Sequence, residues 1–303
     1  TSNTSGGDGY FTVDRMYYYN AGIDNDVTKA QGDVASGTSP YSEGFRKSFK
    51  LTNGNQSTAG TSDEIIIRQQ LEAQDIANSG WNYTSTSSFI TLSYWIKSSV
   101  SQNFYVNLMT YDGTQQNYVT ETGTLSANTW TKIVKTIPGN SNLQFDNDVN
   151  KGIHIQWNVY RGTSVTGTRP LNAWAAYSST TRVPDMDSTW WINTGATFEI
   201  TGVQLEVGSQ ATPFEHRSYG EELQLCKRYF NMLSQTHRSE DGDDAFIAHG
   251  FYWQNNRFMA PLRFDVPLRT ESFSLYKVTG SNYFRIYNNG QGSHQIDDIG
   301  GLN

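Results

Sequence analysis

The 303-residue sequence predicts an all-β fold: an antiparallel β-sandwich, then a short helix and a smaller C-terminal β domain. Three observations predict it. Aromatic residues make up 14% of the chain and charged residues only 17%, against the ~25% charged of ordinary domains. Aromatic side chains suit half-buried pleated surfaces, whereas uncharged polar ones suit turns and exposed strand faces. Period-two alternation runs through most of the first 214 residues, and loops rich in Asn, Gly, Ser and Thr, such as Thr52–Ser62 and Gly139–Ser141, separate the runs.

The elements follow in order. In Ile90–Lys97 one face carries Ile90, Leu92, Tyr94 and Ile96, and the other Thr91, Ser93, Trp95 and Lys97. In the next run Phe104, Val106 and Leu108 oppose Tyr105, Asn107, Met109 and Tyr111. Ile153–Arg161 alternates most regularly, with Ile153, Ile155, Trp157 and Val159 apolar and His154, Gln156, Asn158 and Tyr160 on a polar face. One packed face and one hydrated face is the arrangement antiparallel sheets allow. Phe198–Val207 alternates twice, with a parity shift at Gly202 that predicts a bulge.

After Pro213 the texture changes. Ser218 and Glu221 form a capping box, and Leu223, Cys226, Phe230 and Leu233 recur at helical spacing, with Leu225, Tyr229 and Met232 in a second stripe. A helix apolar on two faces is expected between layers, domains or subunits. Asp241–Asp244 is a polar break, followed by strand-like runs at Phe246–Trp253, Phe258–Val266, Phe273–Val278 and Tyr283–Tyr287. Pro261 and Pro267 suggest edge strands there. The expected organisation is therefore a sandwich over 1–214, a helical connector over 215–235 and a small β domain over 236–303.

Several functional classes are disfavoured. No apolar run approaches the ~18 residues of a membrane-spanning helix. One cysteine, Cys226, supports neither an internal disulfide nor a cysteine-based zinc site. A net charge of −7 without a basic run argues against nucleic acid as a partner. Thr1–Gly7 contain neither an initiator Met nor an apolar signal core, so the chain reads as a fragment or a processed piece.

Catalytic signatures are missing from the sequence: no phosphate loop, no nucleophile elbow and no H-E-x-x-H. Glu199 and Glu206 fall on one side of their strand through the Gly202 shift, but two glutamates on an exposed strand are commonly just solvated. The protein is expected not to be an enzyme and to need no cofactor. Asp146, Asp148 and Asn150 place oxygen ligands at alternate positions of a loop, a weak calcium candidate. Its glycine comes one place late and Trp157 stands where an EF-hand needs Glu, so a polar turn is the simpler reading.

The positive signal is aromatic. Sugars present flat C–H patches and edge hydroxyls, so a sugar site needs aromatic platforms beside amides or other polar groups. Tyr105, Asn107 and Tyr111 on one strand and His154, Gln156, Asn158 and Tyr160 on another supply that pairing on a hydrated sheet face. Trp81–Tyr83, Trp174–Tyr177 and Trp190–Trp191 fall near loops. With a net negative chain, a neutral polysaccharide is the expected ligand.

The sequence also resembles a module of bacteriophage tail fibres and tail-associated proteins, notably of marine and cyanobacterial phages. The resemblance runs through Gly9–Met16, Ile67–Asp75 and Leu92–Ser98, and is densest over Ile200–Gly208, Thr212–Leu223 and Cys226–Phe230. Its first part is similar to jelly-roll carbohydrate-binding modules, which share the aromatic-Trp-aliphatic-Lys/Arg strand end seen at Tyr94–Lys97. The resemblance implies a jelly-roll β-sandwich, adhesion to a cell-surface glycan, a homotrimer, and a virion protein that acts outside the cell. It names no binding residue. The competing readings are a structural fibre segment that only trimerises and spaces its neighbours, and a glycan-degrading enzyme.

Overall fold

The structure is a computed structural model that describes residues 2–3, 7–10, 16–229, 251–254, 257–259, 264–269, 284–287 and 293–296. Phe230, Met232, Leu233, Asp241–Asp244, Pro261, the Phe273–Val278 run and Tyr283 lie outside the described residues. The chain divides into two compact units, Thr1–Arg217 and Ser218–Asn303.

The first unit contains, in order, β1 (Ser2–Asn3), β2 (Gly9–Tyr10), β3 (Met16–Ala21), β4 (Thr28–Asp33), α1 (Ser39–Ser42), β5 (Lys47–Thr52), β6 (Glu64–Glu72) and α2 (Ala73–Ala77). It continues with β7 (Phe89–Ser98), β8 (Asn103–Thr110), β9 (Gln116–Thr124), β10 (Thr131–Pro138), β11 (Lys151–Arg161), β12 (Trp174–Ala176) and β13 (Thr197–Val207). These strands form two antiparallel sheets, ordered β1-β4-β5-β13-β7-β10 and β12-β9-β8-β11-β6-β3-β2. From β5 onward the chain passes back and forth between the sheets, which is the jelly-roll way of closing a sandwich.

The core lies between the sheets and is built by the alternation. Ile90, Leu92, Tyr94 and Ile96 of β7 meet Phe104, Val106 and Leu108 of β8 and Ile153, Ile155 and Trp157 of β11, all buried. Tyr94 packs edge-on against Trp157 with ring centroids 5.7 Å apart, and Phe104 against Phe198 at 5.0 Å. Such edge-to-face pairs add about 0.5–1.5 kcal/mol beyond area burial. Trp190 and Trp191, expected near a loop, are fully buried and close the core.

Two bulges set which residues face outward. In β13 the pairing with β7 steps from Thr201↔Trp95 to Gln204↔Ser93, so one extra residue is accommodated at Gly202, where the parity shift predicts it. Gly202 has φ of 60°, and a Cβ there would lie 2.6 Å from the Phe45 ring. Phe45 thus packs with Val34 and Trp95 in a second small cluster on the outer face of the six-stranded sheet.

In β11 the pairing steps from Asn158↔Ile66 to Tyr160↔Ile65, leaving Val159 as the extra residue. This bulge corrects the expected placement of Tyr160. Unbroken alternation keeps Tyr160 beside Asn158 on the polar face, but the extra residue turns it inward. Its ring lies in the core, 4.8 Å from that of Trp191, and Arg161 turns outward in its place.

The second unit opens with α3 (Tyr219–Lys227), followed by the antiparallel pairs β14 (Phe251–Gln254) with β15 (Arg257–Met259) and β16 (Phe284–Tyr287) with β17 (Ser293–Ile296). The capping box is formed: Glu221 N donates to Ser218 Oγ at 3.3 Å, and Ser218 N donates to the Glu221 carboxylate at 2.8 Å. The described helix is shorter than the spacing predicts, and within the single chain none of its residues is buried. Leu223 and Leu225 stand exposed.

Gly202→Ala tests the role of the β13 bulge. A non-glycine residue in the left-handed region costs about 1–2 kcal/mol, and the contact with Phe45 adds to it. The melting transition of the variant should drop accordingly; an unchanged transition would contradict the assignment.

Candidate functional site

The outer face of the seven-stranded sheet is assembled from alternate residues of four neighbouring strands. β8 contributes Tyr105, Asn107 and Met109, with Tyr111 just beyond its end; β11 contributes His154, Gln156, Asn158 and, past the bulge, Arg161. β6 contributes Glu64, Ile66 and Arg68, and β3 contributes Tyr17 and Tyr19. A cleft of about 220 Å³ opens on this face, lined by Tyr19, Ile66, Arg68, Asn107, Met109, Tyr111, Gln156 and Arg161 from the strands and by Tyr177 and Arg182 from the β12–β13 connection.

Of the residues singled out from sequence, Asn107, Tyr111 and Gln156 line the cleft. Asn158 lies beneath it, fully buried, with its amide donating to Asn107 Oδ1 at 2.9 Å and to the Tyr105 carbonyl at 3.0 Å. Tyr105 faces outward on the same strand as Asn107 but does not line the cleft. His154 is completely buried, so it supports the face and presents no surface to a ligand. Tyr160 belongs to the core for the reason given above.

An amide relay holds the floor. Asn158 donates to Asn107, Asn107 donates to Asn117 Oδ1 at 2.8 Å, and Asn117 donates to the Arg182 carbonyl at 2.7 Å. The relay runs from β11 through β8 and β9 into the connection that carries the cleft wall. The other anchor is a buried ion pair. The Arg161 guanidinium bonds the Glu64 carboxylate, donates Nε to Asn158 Oδ1 at 2.5 Å and donates Nη2 to Gln156 Oε1 at 3.0 Å. Burial pushes Arg161 down to about 10 against the pull of Glu64, so it stays charged at neutral pH. Glu64 also takes Arg182 Nη1 at 3.2 Å on each oxygen. Breaking such a buried pair on one side typically costs about 3–5 kcal/mol, because the surviving charge is stranded.

The walls are aromatic. The Tyr111 hydroxyl is hydrogen-bonded to His154 Nδ1 at 2.7 Å, and Lys151 Nζ sits 5.4 Å from the centre of the Tyr111 ring. Arg68 lies over Tyr17 and Tyr19, 4.6 and 5.1 Å from their ring centres. Tyr177, one of the loop aromatics, also lines the cleft.

Elsewhere, Glu199 is buried and paired with Lys97 at 3.0 Å, and Ser48 donates to it at 2.8 Å. Glu206 accepts from Thr212 and Gln204. Each of the two carboxylates is thus held by its own neighbours. In the calcium candidate, Asp148 accepts from both the backbone and the side-chain amide of Asn150, and the backbone amide of Asp146 bonds Asp112. No group of three or more His, Cys, Asp or Glu converges as metal ligands among the described residues.

His154 makes a pH-dependent contribution. Burial, then the nearby Arg68 and Lys151 charges, push its pKa down to about 3, whereas an unfolded histidine titrates near ~6.5. The unfolded chain therefore takes up the proton first, and the contribution to stability is complete above ~6.5 and lost as pH falls toward 3. Unfolding free energy should fall by about 2 kcal/mol between pH 7 and pH 5. His154→Gln should flatten that part of the curve; an identical slope in the variant would contradict the burial of a neutral imidazole.

No family model matches the chain. No curated protein matches it either. Among solved structures it is similar to one described as "CBM4 structure and function", at 9% identity and a TM-score of 0.32, covering 63% of this chain and 94% of that one. It is similar to the N-terminal cellulose-binding domain of a Cellulomonas fimi β-1,4-glucanase C at 10% identity and a TM-score of 0.33, covering 64% and 90%. A third is the enzymatically active domain of tailspike protein 4 of bacteriophage CBA120, at 11% identity and a TM-score of 0.33. It covers 64% of this chain, which spans only 19% of that one.

Proposed function

We propose that this chain is a non-catalytic carbohydrate-binding module that holds one sugar residue of a glycan in the cleft on the seven-stranded sheet. The observation that carries this reading is the composition of the cleft. Tyr19, Tyr111 and Tyr177 surround a floor of Asn107, Gln156 and guanidinium groups. A tyrosine offers an apolar ring face and a polar tip, which suits a pyranose with its C–H patch and its ring of hydroxyls. Ligand sites of this kind are concave, largely pre-formed and fitted with a few convergent polar groups. At about 220 Å³ the cleft is smaller than the ~300–1,000 Å³ of sites for drug-sized ligands, so most of a polymer lies outside it.

The sequence resemblance to tail-fibre modules supports a setting in a phage adhesin, acting outside the cell on a surface glycan. The homotrimer follows from that resemblance alone, and trimeric display would raise a weak monovalent affinity through effective concentration. The absence of catalysis is part of the proposal: neither Glu199 nor Glu206 lines the cleft, and each has its own partners.

The test is a glycan array with the full chain, followed by calorimetry on a hit and chromatography of the glycan after incubation. Binding without product release is the expected result. Tyr177→Ala should weaken binding by about tenfold, or ~1.4 kcal/mol. Released oligosaccharide would make the chain an enzyme. Silence across the array would favour the structural fibre segment.

A further inference from the structure

The cleft contains more positive charge than its surroundings neutralise. Arg68, Arg161 and Arg182 line it, and Glu64 is the carboxylate bonded to two of them. Arg161 is spent: its Nε, Nη1 and Nη2 go to Asn158, Glu64 and Gln156. Arg182 reaches Glu64 through Nη1 only, and its Nε is buried without a protein acceptor. Arg68 bonds no carboxylate among the described residues. Its charge rests on the rings of Tyr17 and Tyr19, and its Nε is likewise buried without a protein acceptor.

This arrangement discriminates between ligands. A neutral sugar closing over the cleft would strip water from an uncompensated guanidinium, which is unfavourable unless the charge is paired. A carboxylate compensates it, and the planar fork of arginine matches two carboxylate oxygens side by side. The tyrosines hold Arg68 flat and pre-oriented, so little freedom is lost when an anion arrives. The net charge of −7 opposes this only from afar. Charges beyond a Debye length, about 8 Å in physiological salt, are largely screened, whereas contacts inside the cleft are not.

We propose, resting on the glycan reading above, that the cleft is selective for an acidic sugar residue, a uronate whose carboxylate is received by Arg68 and Arg182. This replaces the expectation of a neutral polysaccharide.

The experiment uses the full chain and three defined probes: oligogalacturonate, its methyl ester, and the matching neutral galacto-oligosaccharide. Calorimetry should give binding of the uronate about tenfold or more tighter than the ester, consistent with one charge-assisted hydrogen-bonded contact. Repeating the set with oligoglucuronate and oligomannuronate identifies the stereochemistry. Rising salt should weaken uronate binding and leave the ester little changed. Arg68→Gln should erase the difference between uronate and ester, and Arg68→Lys should restore it in part. The salt series on the unmodified protein keeps the test independent of how the variants fold.

Equal binding of uronates and their esters, or an Arg68→Gln protein that still prefers the uronate, would overturn this inference while leaving the glycan reading in place. Silence toward every acidic and neutral glycan would overturn both.

Discussion

One extra residue in β11, Val159, decides what the outer face of the seven-stranded sheet can do. Without it, Tyr160 would stand beside Asn158 and Arg161 would point into an apolar core. With it, Tyr160 completes the packing on Trp191 and Arg161 emerges between Gln156 and Glu64. A guanidinium at that depth is tolerable only if its charge and its donors are satisfied together. Glu64 supplies the charge, Asn158 and Gln156 supply the acceptors, and the same Glu64 then draws Arg182 from the β12–β13 connection over the sheet. The cleft exists because that connection is pinned there.

The amide relay from Asn158 through Asn107 and Asn117 to the Arg182 carbonyl reaches the same connection from the other side. Two tethers, joined at Asn158 and both ending on Arg182, therefore hold the wall that carries Tyr177 and Arg182. A floor made of strands and a wall fixed by side-chain hydrogen bonds keep a site close to its binding geometry before any ligand arrives, which limits the ordering cost of binding. His154 works in the same direction: buried and neutral, it orients Tyr111 through the hydroxyl without adding another charge to a face already rich in arginine.

Much of the fold was legible because alternation reports which face of the sheet a side chain takes, although the polar faces of β8 and β11, expected to be hydrated, are themselves largely buried. The inward sets of β7, β8 and β11 up to Trp157 are those the period-two pattern selects, and the parity shift at Gly202 marks a real bulge. The bulge at Val159 carried no such mark. Val159 and Tyr160 are both plausible core residues, so the sequence reads as unbroken alternation ending on a polar tyrosine. The error moved Tyr160 onto the wrong face and hid Arg161. Arg68 was missed for a different reason: it follows Ile65-Ile66-Ile67, an apolar run without alternation, so nothing marks Ile66 and Arg68 as sharing the outer face. Arg182 and Tyr177 come from an irregular connection whose path no local pattern encodes.

In the proposed reading, ligand recognition resides on the outer face of the seven-stranded sheet, organised by Arg161 and Glu64. Amide chemical-shift mapping during titration of a binding glycan tests it most directly, because it locates the ligand without any substitution. The largest shifts should fall in β6, β8 and β11 and in the segment around Tyr177 and Arg182. Shifts confined to the six-stranded sheet, or to residues 218–303, would contradict that reading.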